Sequence, residues 1–175
     1  MAPVELVAPD PRLHRSWTEV VAEFGGVGAT MHGSGWLFES FEDVSLARLE
    51  RLVEQLRRDG EGLPWTGGVV RCDYLWIVEG DELVGFLALR HSLTDALRRD
   101  GGHIGYAVRP SRRGEGIATR ALGLALERSA ALGLDRVLLT CDDDNEASWR
   151  TMLSHGAVLE DVVDGKRRYW IATGR

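Results

Sequence analysis

The sequence predicts an α+β domain, with a mixed sheet of about six or seven strands and about four helices. Three observations lead there. Apolar runs at residues 74–79 and 83–90 flank Gly80-Asp81, and a second pair at 158–163 and 166–172 flanks Asp164-Gly165; both patterns are hairpin signals. Between them, a short strand at 103–108 passes through Arg112-Arg113-Gly114-Glu115-Gly116-Ile117-Ala118 into a helix, where Ile117, Ala121, Leu124, Ala125 and Leu132 recur at helical spacing.

The remaining elements follow in order. Residues 4–7 read as a first strand stopped by Pro9 and Pro11, with Asp10 placed to cap a helix over 13–24. Residues 25–40 form a long irregular stretch containing Gly25, Gly26, Gly28, Gly33 and Gly35, and loops of that length in compact domains are functional or disordered. Val44, Leu46, Leu49, Leu52, Val53 and Leu56 stand among charges over 41–58, an amphipathic helix ended by Asp59-Gly60. Residues 62–68 are a Pro/Gly loop inside the domain, since neither side is long enough to fold alone. A short helix is predicted over 93–99, an apolar strand over 136–141 and a helix over 146–155. The whole of 1–175 reads as one domain, a length that buries roughly 70% of its unfolded surface.

Composition excludes several classes. Lys plus Arg of 21 against Asp plus Glu of 27 gives a net charge of −6, the wrong sign for a nucleic-acid binder and the right one for attracting a cationic amine. Two cysteines, Cys72 and Cys141, imply no disulfide framework. The N-terminus lacks the basic start and apolar run of a signal peptide, and no apolar stretch approaches the roughly 18 residues of a membrane span. A cytoplasmic protein without membrane attachment is expected.

The glycine-rich turn has a physical use. The first amides of a helix lack intrahelical acceptors and carry the positive end of the macrodipole, so they bind phosphate. Glycine keeps a Cβ away from the anion and permits positive φ. The dinucleotide fingerprint is incomplete, because Thr119 and Arg120 follow where a third glycine belongs, and the Gly-Lys-Ser/Thr ending of a nucleoside triphosphate loop is absent. Asp142-Asp143-Asp144 lacks the later glycine and glutamate of a calcium loop, so no metal is expected.

Arg113-x-x-Gly116-x-Ala118 resembles the acyl-CoA pyrophosphate loop of the GNAT superfamily of N-acetyltransferases. The run His103-Ile104-Gly105-Tyr106-Ala107-Val108-Arg109-Pro110 is similar to that family's fourth strand and 136–140 to its fifth. Asn145-Glu146-Ala147-Ser148, with Gly156 after it, is similar to the loop and helix that close over pantetheine. The resemblance spans about residues 69–171 and is strongest to a bacterial subgroup with similar Arg-His-x-Leu and Arg-Tyr-Trp-Ile runs.

The resemblance implies acetyl-CoA as co-substrate, lying between splayed fourth and fifth strands of the GNAT fold. It implies that peptide groups of Tyr106 and Val108 pair with pantetheine, that Arg113, Gly114, Gly116, Ala118 and Thr119 surround the pyrophosphate, and that Asn145 and Ser148 meet the pantetheine arm. Residues 25–40 would overlie the acceptor cleft with Trp36 and Phe38 as contacts, and Asp73 and Arg90 are further substrate-side candidates. Trp76 and Trp149 read as packing residues. The implied reaction moves an acetyl group to a primary amine of a small molecule or peptide by direct attack in a ternary complex. The alternative is a non-catalytic acyl-CoA-binding regulatory module, and a homodimer is left open.

A lysine-like amine, with pKa about 10.4, costs about 4.6 kcal/mol to deprotonate at pH 7, and an α-amine near 7.7 costs about 1 kcal/mol. His103, on the strand where related enzymes often place a glutamate, is the first candidate base; the alternative is that its ring merely ends a strand. His91, after Arg90, could face the same cleft, and Asp73 and Tyr74 are further candidates. The sequence departs from the family at Met152, where most members carry a tyrosine that protonates the leaving thiolate. A thioether cannot donate, so solvent, Ser148 or Ser154 is expected to do so.

Overall fold

The computed structural model describes residues 2–25, 31–34, 43–61 and 70–174, so Trp36, Phe38 and the loop at 62–68 lie outside the described residues. The chain order is β1 (Val4–Val7), α1 (His14–Glu23), α2 (Leu46–Gly60), β2 (Cys72–Glu79), β3 (Glu82–Arg90), α3 (Asp95–Arg99), β4 (Ile104–Val108), α4 (Ile117–Ala131), β5 (Arg136–Asp142), α5 (Glu146–Leu153), β6 (Val158–Val163) and β7 (Lys166–Ala172).

The seven strands fall into two antiparallel sheets, ordered β1-β2-β3-β4 and β5-β7-β6. The expected splay is thus the boundary between two sheets. Both hairpin turns use the left-handed region, with Gly80 at φ +60° and Asp164 and Gly165 at +52° and +74°. Cross-strand pairing extends β2 back to Cys72, which faces Arg90.

Local caps set the helix starts. Ser45 Oγ accepts from Arg48 N at 3.2 Å, so α2 begins at Leu46 and not at residue 41 as the apolar spacing implied. Asp10 caps the 3-10 turn Pro11–Leu13 rather than α1 itself, accepting from Arg12 N at 2.9 Å.

Both faces of β2 and β3 are covered, which is why their sequences run apolar instead of alternating. On one face α1 and α2 bury Trp17, Val20, Leu49 and Leu52 against Trp76, Val78, Leu83 and Phe86. Trp76 is therefore core, and it meets Phe86 edge-on at 6.5 Å. On the other face Ile117, Ala121, Leu122 and Ala125 of α4 pack on Ile77, Leu87 and Ile104 of one sheet and Val137, Leu139 and Ile171 of the other. Burying each large apolar side chain is worth about 1.5–3 kcal/mol, so α4 is the element that holds the parted sheets together. No helix among the described residues is long and apolar enough to cross a membrane.

Candidate active site

Among the described residues no ladder joins β4 to β5. They are tied at one end only, where His103 N donates to Leu138 O (2.7 Å), Leu138 N donates to His103 Nδ1 (2.9 Å) and Gly101 N donates to Thr140 Oγ1 (2.8 Å). Arg109 N donates to Val84 O on β3, and strand geometry alternates, so the peptide groups of Tyr106 and Val108 point away from β3 into the gap. Val108 O accepts from Arg113 Nε at 3.2 Å, which leaves the Val108 amide for a ligand.

At the mouth of the gap α4 starts without a side-chain cap and without an acidic residue in its first turn. Arg120 N to Gly116 O is the first helical bond, so the amides of Ile117, Ala118 and Thr119 have no helical acceptor. Gly114 and Gly116 lie at φ +81° and +72°. A Cβ would meet nothing within 4 Å at Gly114 and only the Arg120 side chain, at 3.4 Å, at Gly116, so these glycines serve backbone conformation and open access rather than packing. Free donors, no cap and no nearby unpaired carboxylate suit a diphosphate. Glu115 is held by Arg112 Nε at 3.0 Å.

The arginines around this turn are already paired. Arg109, 6% exposed, bonds Glu23 on α1 and Glu82 on β3, and Glu23 also accepts from Ser111 N (3.0 Å) and Ser111 Oγ (2.9 Å). The Arg109 guanidinium, followed by the Ser111 bonds, pulls the Glu23 carboxyl down to about 2 despite an opposing push from burial. Arg112 bonds Glu79, Glu82 and Glu115. The Arg113 side chain turns back toward Val108 O and the Phe24 ring, so its contribution to an anion is its main chain. Sequence reasoning missed the Glu23 latch, whose partners lie 86 residues apart.

The gap opens into a cavity of about 100 Å³ whose walls include His32, Arg90, Tyr106, Asn145, Ser148 and Met152. Asn145 caps α5 through Oδ1, which accepts from Ser148 N at 3.1 Å, and its amide N–H donors remain for a ligand. Tyr106 Oη lies 3.3 Å from Ser148 Oγ, and burial raises its phenol pKa, so the pair stays protonated at neutral pH. Burial likewise raises the Cys141 thiol. Met152 is 1% exposed, whereas Ser154 Oγ donates to Thr151 O at 2.7 Å and does not line the cavity. A larger groove of about 650 Å³ between α1 and the β2–β3 turn is shallow and lined by paired ions such as Asp10 and Arg12.

The surroundings of His103 weigh against the role of base expected for it. Its ring is 6% exposed, its Nδ1 accepts the Leu138 amide, and it is not among the cavity-lining residues. Burial, reinforced by Arg98 and Arg90, pushes its pKa down to about 4, which makes it a poor proton acceptor. His103 joins the two sheets. His91 and Asp73 also lie outside the cavity wall, paired with each other at 3.0 Å between Nε2 and Oδ1 but misaligned for a hydrogen bond. Arg90 does line it, donating from Nη1 to the carbonyls of Gly101 and Gly102 at 3.2 Å each.

His32, which sequence reasoning passed over for Trp36 and Phe38, stands at this wall. Its neighbour Gly33, at φ +79°, is pressed so closely on β3 and β4 that a Cβ would lie 2.4 Å from Gly105 O and 2.9 Å from Leu87 Cα. A histidine beside a glycine in a glycine-rich stretch was the only signal for it.

Parted sheets with free amides at the mouth of the gap form a cleft that suits an extended ligand ending in a diphosphate. The profile of the acetyltransferase (GNAT) family matches residues 36–157, and the chain belongs to that family. Solved structures share the fold. The microcin C7 self immunity acetyltransferase MccE, in complex with acetyl-CoA and AMP, is 16% identical with a TM-score of 0.65, covering 97% of this chain and 92% of that one. RimJ of Mycobacterium smegmatis, in complex with CoA-disulfide, is 22% identical with a TM-score of 0.69, covering 98% and 86%. The ribosomal L7/L12 alpha-N-protein acetyltransferase RimL, in complex with coenzyme A, is 18% identical with a TM-score of 0.64, covering 98% and 95%. Comparison with curated proteins gave no match.

Proposed function

We propose that this acetyltransferase moves an acetyl group from acetyl-CoA to a primary amine of a small molecule or peptide, by direct attack within a ternary complex. The observation that carries the reading is the unladdered gap between β4 and β5, with the Tyr106 and Val108 peptide groups facing into it and uncapped amides at its mouth. Bound acetyl-CoA supplies an acetyl thioester whose carbonyl carbon is open to a nucleophile.

The chain's residues then divide the work. Main-chain groups from Arg113 through Gly114, Gly116, Ala118 and Thr119 hold the diphosphate, each charge-assisted bond being worth about 1.5–3 kcal/mol. Tyr106 and Val108 pair with the pantetheine amides as a strand would, and Asn145 donates its free N–H. The Tyr106–Ser148 hydroxyl pair, 3.3 Å apart, offers a proton to the departing sulfur where Met152 cannot. An unassisted thiolate of pKa near 8.5 costs only about 2 kcal/mol at pH 7, so the assistance is modest.

On the acceptor side, the net charge of −6 favours a cationic amine, while Asp100 and Asp142 at the cavity are themselves paired with Lys166. Arg90 completes the substrate wall, with Asp73 and His91 beyond the cavity. RimL acts on a protein α-amine, as its description states, and an α-amine needs the least help to deprotonate. A cytoplasmic setting accords with Cys72 and Cys141, both buried free thiols. The non-catalytic reading rests on Met152 and is weakened by the Tyr106–Ser148 pair.

Titration calorimetry with acetyl-CoA, followed by thiol release over a panel of α-amine peptides and alkylamines, tests the proposal. Binding followed by release with at least one amine is expected. Binding without release from any amine would establish the regulatory module instead, and no binding would remove the coenzyme assignment.

A further inference from the structure

We propose that His32 takes the proton from the attacking amine, an inference that rests on the amine-acetylation reading above. Five histidines are present, and four are engaged by the protein. His14 Nε2 lies 2.7 Å from Val44 O and His155 Nε2 2.8 Å from Thr119 O, while His91 pairs with Asp73 and His103 Nδ1 accepts from Leu138 N. The rings of His32 and His91 have no hydrogen bond among the described residues, but His91 is half-buried against Asp73 outside the cavity, whereas His32 is exposed and lines the cavity between β4 and β5.

Its backbone is anchored. Met31 and Ser34 on either side are 6% and 4% exposed, Ser34 N donates to Met31 O at 3.2 Å, and Gly33 sits against Gly105 O and Leu87. An exposed ring on a fixed backbone can reach a reacting amine and still return its proton to water.

The other ionisable groups at this cavity are otherwise occupied. Lys166 Nζ lies 2.7 Å from Asp142 and 3.4 Å from Asp100, Arg90 holds the Gly101 and Gly102 carbonyls, and burial keeps Tyr106 and Cys141 protonated. The step balances without a further reactant. An imidazole lone pair takes the amine N–H proton, the C–N bond forms as the C–S bond breaks, and the departing thiolate takes a proton from the Tyr106–Ser148 pair or water. The imidazolium then deprotonates to solvent.

His32→Ala should bind acetyl-CoA within twofold of the parent by calorimetry and lose about 10²-fold in turnover with an alkylamine, with added imidazole restoring part of the rate. In the unaltered protein, diethyl pyrocarbonate with peptide mass mapping should modify His32 fastest of the five histidines, and acetyl-CoA should slow that modification at least fivefold. Turnover within threefold of the parent, or His32 modification indifferent to acetyl-CoA, would overturn the assignment. A variant too unstable to assay leaves the modification experiment on the parent to decide. Thiol release by the parent with an amine, alongside either negative result, removes His32 while leaving amine acetylation intact; absence of release with every amine removes both.

Discussion

Replacing Glu23 with glutamine should loosen the coenzyme loop without unfolding the chain. Glu23 on α1 holds Arg109, Ser111 N and Ser111 Oγ, and so pins the segment between β4 and α4 whose amides are proposed to bind the diphosphate. Its carboxyl is pulled from 4.5 to about 2. At about 1.36 kcal/mol per pH unit that difference gives a ceiling of about 3 kcal/mol, and for a side chain one-quarter exposed, solvent screening reduces it to about 1–2 kcal/mol. Glutamine retains one acceptor oxygen, and Arg109 keeps Glu82. The acetyl-CoA dissociation constant should therefore rise about 3- to 10-fold, with Tm lower by about 2–6 °C. Because the folded pKa is depressed, the latch is fully present above pH 4.5 and lost as pH falls through about 2. Parent and variant melting curves should differ by a constant amount from pH 8 to 5 and converge in stronger acid. A lowered Tm with an unchanged dissociation constant would refute the claim that the latch presets the loop.

Substitutions at three further positions test neighbouring claims. Asn145→Asp keeps the α5 cap and removes the N–H donor, so it should bind acetyl-CoA about tenfold more weakly at unchanged Tm, whereas Asn145→Ala should also lose about 1 kcal/mol of stability; parent-like binding by the aspartate variant would leave Asn145 a capping role alone. Tyr106→Phe should turn over about tenfold more slowly at pH 7 and approach the parent near pH 9, where a thiol of pKa near 8.5 leaves without a proton; a deficit independent of pH would point to packing. His103 has a folded pKa near 4, below its ordinary 6.5, so the unfolded chain binds the extra proton between those values and stability falls as pH drops from 6.5 toward 4. His103→Asn, which keeps an acceptor for the Leu138 amide, should flatten that slope in melting experiments while preserving turnover, and a 10²-fold loss of turnover would restore His103 as the base.

What was legible in the sequence is what depends on near neighbours. Gly80, Asp164 and Gly165 announced their hairpins because a tight turn demands positive φ within two residues. Gly114 and Gly116 announced the left-handed turn before α4 for the same reason, whereas the cap that Asn145 places on α5 through Ser148 N emerged only from the structure. The catalytic assignment depends on distant partners. Nothing near His103 in the chain reveals that the Leu138 amide, 35 residues on, occupies its Nδ1. Nothing near His32 reveals that Gly33 must fit against Gly105 O, which is the contact that carries the ring to the cavity. Both histidines are flanked by glycine, and local pattern treats them alike. What separates them is which ring nitrogen the fold has already claimed, and that is settled by long-range packing between the parted sheets. The same logic explains the arginines, since a basic run beside a phosphate loop reads as a set of anion ligands until Glu23, Glu79 and Glu82 from three other elements are found to neutralise it. With the side chains so paired, the proposed coenzyme binding would rest on main-chain amides, and the loop's conformation becomes the quantity that mutation at Glu23 should disturb.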